Sequence, residues 1–166
     1  MNEQEQKIWQ LLDDINDPEI PVLSIIDLGI IRSVTVNKHM IDSVQEVFIE
    51  YTPTYSACPA VDMINMEIRS SLQAAGFTNI TLEQKLFPSW TTDWMSEIGK
   101  EKLKKYGIAA PIGKSCDNQL LTDLTIDCPQ CGSKQTTLVS AFSSTACKAL
   151  FKCNTCLEPF DYFKCH

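Results

Sequence analysis

Histidine is scarce in this 166-residue chain: there are two, His39 and His166. With His39 in an expected hairpin loop and His166 at the last position, cysteine-histidine hydrolysis has no evident base. No apolar run approaches the roughly 20 residues that cross a bilayer, so a membrane span is not expected. The opening Met1-Asn2-Glu3-Gln4-Glu5 lacks the basic-then-apolar pattern of a secretory leader, and the expected location is cytoplasmic. Basic charge is also short, 14 Lys and Arg against 21 Asp and Glu, and a net charge of -7 repels phosphate backbones. Nucleic acid is therefore not an expected partner. There is no Gly-rich dinucleotide fingerprint and no paired Glu-x-x-His motif of a di-iron bundle, which excludes the usual reductase and oxygenase designs.

What remains is enough to fold. Hydrophobic residues make up 44% and charged residues 21%, a balance that supports a packed core. Charge and cysteine are unevenly spread. Residues 1–110 hold 16 acids and 9 bases, residues 111–166 five of each, and seven of the eight cysteines lie from Cys116 onward. In a cytosolic chain such a cluster favours metal over disulfides. The expected plan is α+β: a small domain over 1–110 with a sheet of three or more strands and helices, then a β-rich domain over 111–166.

Local patterns supply the elements. Ile8, Leu11, Leu12 and Ile15 recur at helical spacing and predict a helix over 4–15, ended by Asp17-Pro18. Val34 and Val36, then Val47, Ile49 and Tyr51, alternate as an antiparallel pair, and Ile80 with Leu82 predict a third strand. Val61, Ile64, Ile68, Leu72 and Ala75 share one helical face, with Cys58-Pro59 at its expected start and Gly76 at its end. Trp94, Ile98 and Leu103 predict a helix whose last turns hold Lys102, Lys104 and Lys105 and which stops at Gly107. Ile108 to Gly113 reads as a linker.

Cys128-Pro129-Gln130-Cys131 and Cys153-Asn154-Thr155-Cys156 are two Cys-x-x-Cys turns with 21 residues between them. Four soft ligands converging on one tetrahedral ion need such paired turns, and structural zinc is the expected occupant. A rubredoxin-like iron or iron-sulfur centre and unligated thiols are the alternatives. Cys147 and Cys165 are either buried structural cysteines or auxiliary thiols that exchange into the site. Cys58, at an expected helix start, is a candidate thiolate, since unpaired N–H groups and the dipole depress a thiol pKa there. Asp17, Glu19 and Asp27 in isolation read as loop-capping acids.

Taken together, Asp17-Pro18-Glu19-Ile20-Pro21, then Ile26-Asp27-Leu28-Gly29-Ile30-Ile31, then Thr52-Pro53-Thr54-Tyr55-Ser56-Ala57-Cys58-Pro59 resemble the SufT-like iron-sulfur assembly domain. With Ser144-Thr145-Ala146-Cys147-Lys148-Ala149-Leu150, Glu158 to Cys165 and the two cysteine turns, nearly the whole chain resembles the PaaD family associated with bacterial phenylacetyl-CoA epoxidase. The resemblance implies an accessory protein, not an enzyme, that helps mature the iron-sulfur reductase component serving the oxygenase. The family's reactive cysteine maps onto Cys58 and its acidic loop onto Asp17, Glu19 and Asp27, where iron or a cluster would be held transiently. The alternative is an interaction module of the oxygenase complex that handles no iron. Other epoxidase subunits and a second copy of the chain are further candidate partners.

Overall fold

The computed structural model describes residues 2–38, 45–112 and 121–164. The chain divides into two compact units, Met1–Trp90 and Thr91–His166.

In the first unit, α1 (Glu3–Asp13) begins with a reciprocal cap, since Asn2 Oδ1 accepts from the Glu5 amide and Glu5 Oε2 from the Asn2 amide, both at 2.8 Å. Its Ile8 and Leu12 are fully buried, each such side chain contributing roughly 1.5–3 kcal/mol. Strands β1 (Ile31–Lys38) and β2 (Gln45–Tyr51) are antiparallel, with Val34 opposite Ile49 and Val36 opposite Val47. The alternating pattern of β2 puts Val47, Ile49 and Tyr51 on the buried face. Helix α2 (Val61–Ala74) then crosses over and returns the chain as β3 (Asn79–Gln84), parallel to β2, giving the sheet order β1-β2-β3. Ile64, Ile68 and Leu72 form the buried stripe of α2, and α1 packs against both α2 and β1.

The second helix starts later than the sequence predicts. The Cys58 amide donates to the Tyr55 carbonyl and the Val61 amide to the Cys58 carbonyl, three residues apart each time, and the first i to i-4 bond is Ile64 to Ala60. Cys58 and Pro59 thus lie in tight turns before the helix, and Ala60 is its N-cap.

In the second unit, a 3-10 turn (Thr92–Trp94) precedes α3 (Glu97–Tyr106), where Ser96 Oγ accepts from the Gly99 amide at 2.8 Å and Gly107 closes the C-terminus. Ile108 and Ala109 do not form a linker. They are a short buried strand, β4, parallel to β7 (Pro159–Phe163), which continues through β6 (Lys148–Cys153) to β5 (Thr136–Ser140) in the order β4-β7-β6-β5. The division at Trp90 therefore precedes the composition-based boundary at Ala110. Charge and cysteine content change near Ala110, but the backbone pairing of β4 with β7 draws the preceding helix and strand into the cysteine-rich unit. Its core joins Ala109, Ile126, Ala149, Phe151, Phe160 and Tyr162, with the Phe151 ring 6.0 Å from Phe160 and 5.8 Å from Tyr162. Among the described residues, no helix is long and apolar enough to cross a membrane.

Candidate functional site

The two cysteine turns converge. Their four sulfurs, of Cys128, Cys131, Cys153 and Cys156, all lie within 4.8 Å of one another. Cys128 Sγ is 3.7 Å from Cys156 Sγ, and Cys131 Sγ is 3.6 Å from Cys153 Sγ. Sulfurs at 2.3 Å around a tetrahedral ion stand about 3.8 Å apart, so both of these pairs match the spacing that zinc needs. The turns are built alike. The Cys128 amide donates to the Ser133 carbonyl at 2.9 Å, and the Cys153 amide to the Glu158 carbonyl at 3.0 Å. In each, the residue after the second cysteine has a left-handed backbone, Gly132 at φ 72 and Leu157 at φ 67.

Electrostatics within this set call for a cation. The amides of Cys156 and Thr155, each 3.4 Å from Cys153 Sγ, bring that thiol down to about 6. The Glu158 amide pulls Cys156 down, but burial and the Cys153, Cys131 and Cys128 sulfurs outweigh it and push that thiol up to about 12. Four sulfurs this close shed their protons together only when a positive ion compensates the charge.

Cys147 stands apart from these ligands. It lies in the turn just before β6, next to Lys148, whereas Cys153 closes that strand, and its Sγ lies 3.0 Å from Thr145 Oγ1. Around it the conspicuous tail motif fastens the β5–β6 loop to β7. Lys148 Nζ lies 3.6 Å from Asp161, which also accepts from Ser143 Oγ, and Lys164 Nζ donates to the Ala141 carbonyl at 2.6 Å and sits over the Phe142 ring. Burial pulls the Lys164 ammonium below its usual range. Cys116, Cys165, His39 and His166 lie outside the described residues.

The second cluster is around Cys58. Half-buried, it lines a cavity of about 10 Å³ with Asp17, Ile30, Tyr51, Pro53, Thr54, Val61 and Ile64. That is about one water's volume. Asp17 is 8% exposed, and its Oδ1 accepts from the Glu19 and Ile20 amides, both at 2.8 Å, which folds the acidic loop. Asp27 serves a separate turn. Its amide donates to Ser24 Oγ at 3.0 Å, its Oδ2 accepts from the Ser24 amide at 3.3 Å, and Ser24 Oγ donates to Asp13.

Cys58 does not have the depressed pKa expected of a helix start. Burial pushes its thiol up, and the charges of Glu19 and Asp17 push it further, against the opposing pull of the Ala60 amide and Tyr55. The helix begins three residues too late to reverse this. The structure thus brings Asp17 and Glu19 to bear on Cys58, while Asp27 neither lines the cavity nor is among the groups shifting that thiol. Tyr51 and Thr54 were not foreseen as part of the site. The buried end of the β2 alternation was the available signal for Tyr51, which also accepts from Asn65 Nδ2 at 2.8 Å.

Comparisons with known proteins divide along the same two clusters. Residues 5–80 match the family described as iron-sulfur cluster assembly protein, and residues 113–164 match the PaaD zinc beta ribbon domain. An Escherichia coli (strain K12) protein, provisionally named as one of the subunits of 1,2-phenylacetyl-CoA epoxidase, is 48% identical over 162 residues, covering 98% of this chain and 93% of its own length. The chain belongs to the PaaD family. Its mixed α+β fold is shared with a solved domain of unknown function, DUF59, from Bacillus anthracis, at 25% identity and TM-score 0.53, covering 60% of this chain and 90% of that one. A conserved hypothetical protein from Thermotoga maritima aligns at 24% identity and TM-score 0.48, over 62% of this chain and 94% of its own. The PaaD match gives the four-cysteine set its family context as a zinc-ribbon metal site.

Proposed function

We propose that the chain is a non-enzymatic accessory factor in iron-sulfur maturation, with Cys58, Asp17 and Glu19 as a transient iron-handling group. The observation that carries this reading is that two carboxylates act on one half-buried thiol that lines a cavity too small to enclose a cargo. The acids that disfavour the bare thiolate favour a cation beside it. Iron(II) binding replaces the thiol proton, which leaves to a carboxylate or water, and an iron-thiolate bond forms. With no enclosing pocket, a client thiolate can displace Cys58 and take the metal. Asp27 supports the acidic loop from its own turn. The zinc ribbon stabilises the second unit, and none of its four sulfurs takes part in transfer. The reading places this chemistry in the reducing cytoplasm, where free thiols persist.

The client is the iron-sulfur reductase component of the epoxidase system, a reading supported by the assembly domain together with the name of the Escherichia coli relative. The test is iron and acid-labile sulfide per client reductase, coexpressed with the wild-type chain, with Cys58→Ser, or with neither. Depletion with Cys58→Ser, whose circular dichroism remains native, is the expected result, because soft-metal ligation needs sulfur. A fully clustered client with Cys58→Ser but not without the chain replaces this reading with docking alone. Equal content in all three arms removes the maturation role.

A further inference from the structure

Three connections meet at one end of the first sheet. Because β2 and β3 are parallel, Tyr51 and Gln84 lie side by side, and the chain leaves one toward Cys58 and the other toward Leu86 and Phe87. Ile31, which opens β1, is opposite Tyr51, and the Thr52 amide donates to the Ile30 carbonyl at 2.9 Å, so the acidic loop enters the sheet at this end too. The segment from Lys85 to Trp90 is fastened at both ends, one to the Cys58 cavity and the other to the acidic loop. The Lys85 amide donates to the carbonyl of Tyr51, a residue of the Cys58 cavity, at 2.8 Å. Trp90, 2% exposed, donates its Nε1–H at 2.8 Å to the carbonyl of Leu28 in the acidic loop.

Between these anchors Leu86 is 55% exposed and Phe87 89%. The segment's ends are fixed while its apolar tip remains in water, a combination that suits the aromatic anchors on which protein interfaces concentrate their binding energy. The unit as a whole is acidic, residues 1–90 carrying 13 acids and 5 bases, and Lys85, the cation next to the tip, is paired with Glu83 and Glu50. A partner seated here therefore presents an apolar recess rimmed by lysine or arginine, whose charges also speed encounter.

We propose that Leu86 and Phe87 are a docking prong for the iron-sulfur client served by Cys58, received in an apolar, basic-rimmed recess of that client. The inference rests on the proposed function for the class of partner, and on placement and charge for the surface itself. The experiment places the photocrosslinker benzoylphenylalanine at position 87, and separately at Met66 on the outward face of α2, in cells coexpressing the epoxidase system. Mass spectrometry identifies the adducts, and the captured protein is then purified in its cluster-free form for binding titrations. The expected result is an iron-sulfur protein captured at position 87, at least tenfold weaker binding by Phe87→Ala with native circular dichroism, and affinity that falls with salt. No adduct at position 87, an adduct only with proteins that carry no cluster, or unchanged affinity in Phe87→Ala overturns the proposal. A client that docks through Phe87 yet is fully clustered with Cys58→Ser leaves the prong standing and removes the thiolate role.

Discussion

Replacing Gly132 with alanine isolates one backbone term in the metal site. At φ 72 the glycine allows the first cysteine turn to close, its amide donating to the Cys128 carbonyl at 2.8 Å. A Cβ built there meets no atom within 4 Å, so the substitution introduces no collision and its penalty is conformational. A left-handed L-residue costs about 1–2 kcal/mol. Alanine returns about 0.4–1 kcal/mol by restricting the unfolded chain, which leaves a net loss of about 1 kcal/mol. Metal binding and folding are coupled in such ribbons, so this loss registers as roughly fivefold weaker apparent zinc affinity. Leu157 is the internal control because it occupies the matching position of the second turn at φ 67. Leu157→Ala is expected to change stability by less than about 0.5 kcal/mol. Competition titration with a chromogenic chelator at neutral pH reads all three proteins. Unchanged affinity in Gly132→Ala, or a loss in Leu157→Ala as large as that in Gly132→Ala, refutes the argument from backbone conformation.

Four other substitutions address the metal site, the Cys58 thiol and the β5–β6 loop. Cys131→Ser is expected to abolish zinc binding and expose the second unit to protease, and retained metal with retained resistance would show that the four-sulfur set is wrong. Cys58 should alkylate more slowly than a small-molecule thiol at neutral pH and accelerate above the ordinary thiol range, because burial and the Glu19 and Asp17 charges raise its pKa; Glu19→Gln lowers that pKa, so mass spectrometry of iodoacetamide labelling should find the midpoint shifted to lower pH, and an upward shift contradicts the assignment. For the same group the sign for folding is fixed: a thiol raised in the folded state contributes stability below its unfolded pKa and loses it as pH rises through the folded value, so Cys58→Ser should flatten the alkaline loss of stability in denaturant titrations. Asp161→Asn weakens the anchor of buried Lys148 and is expected to destabilise the second unit by about 2–3 kcal/mol in urea unfolding, with a change below half of that assigning the β5–β6 loop to other contacts.

Much of this protein was legible from local chemistry. Paired Cys-x-x-Cys turns name their own ligands because the knuckle is a short-range structure, and the alternation of Val47, Ile49 and Tyr51 or the helical spacing of Ile64, Ile68 and Leu72 states which face is buried. The family resemblance likewise rests on contiguous motifs. What the sequence alone left undecided depends on partners far along the chain. Ile108 and Ala109 read as linker because two residues carry no periodicity, and only pairing with β7 makes them a strand. Cys58-Pro59 looks like a helix start, yet tight turns through Tyr55 and Cys58 delay the helix to Val61. The sign of the Cys58 shift was decided in the same way, by burial among β2, α2 and the acidic loop and by Asp17 and Glu19, about 40 residues earlier in the chain. A thiol's acidity is set by the charges and solvent within a few ångströms, and those neighbours are assigned by tertiary packing.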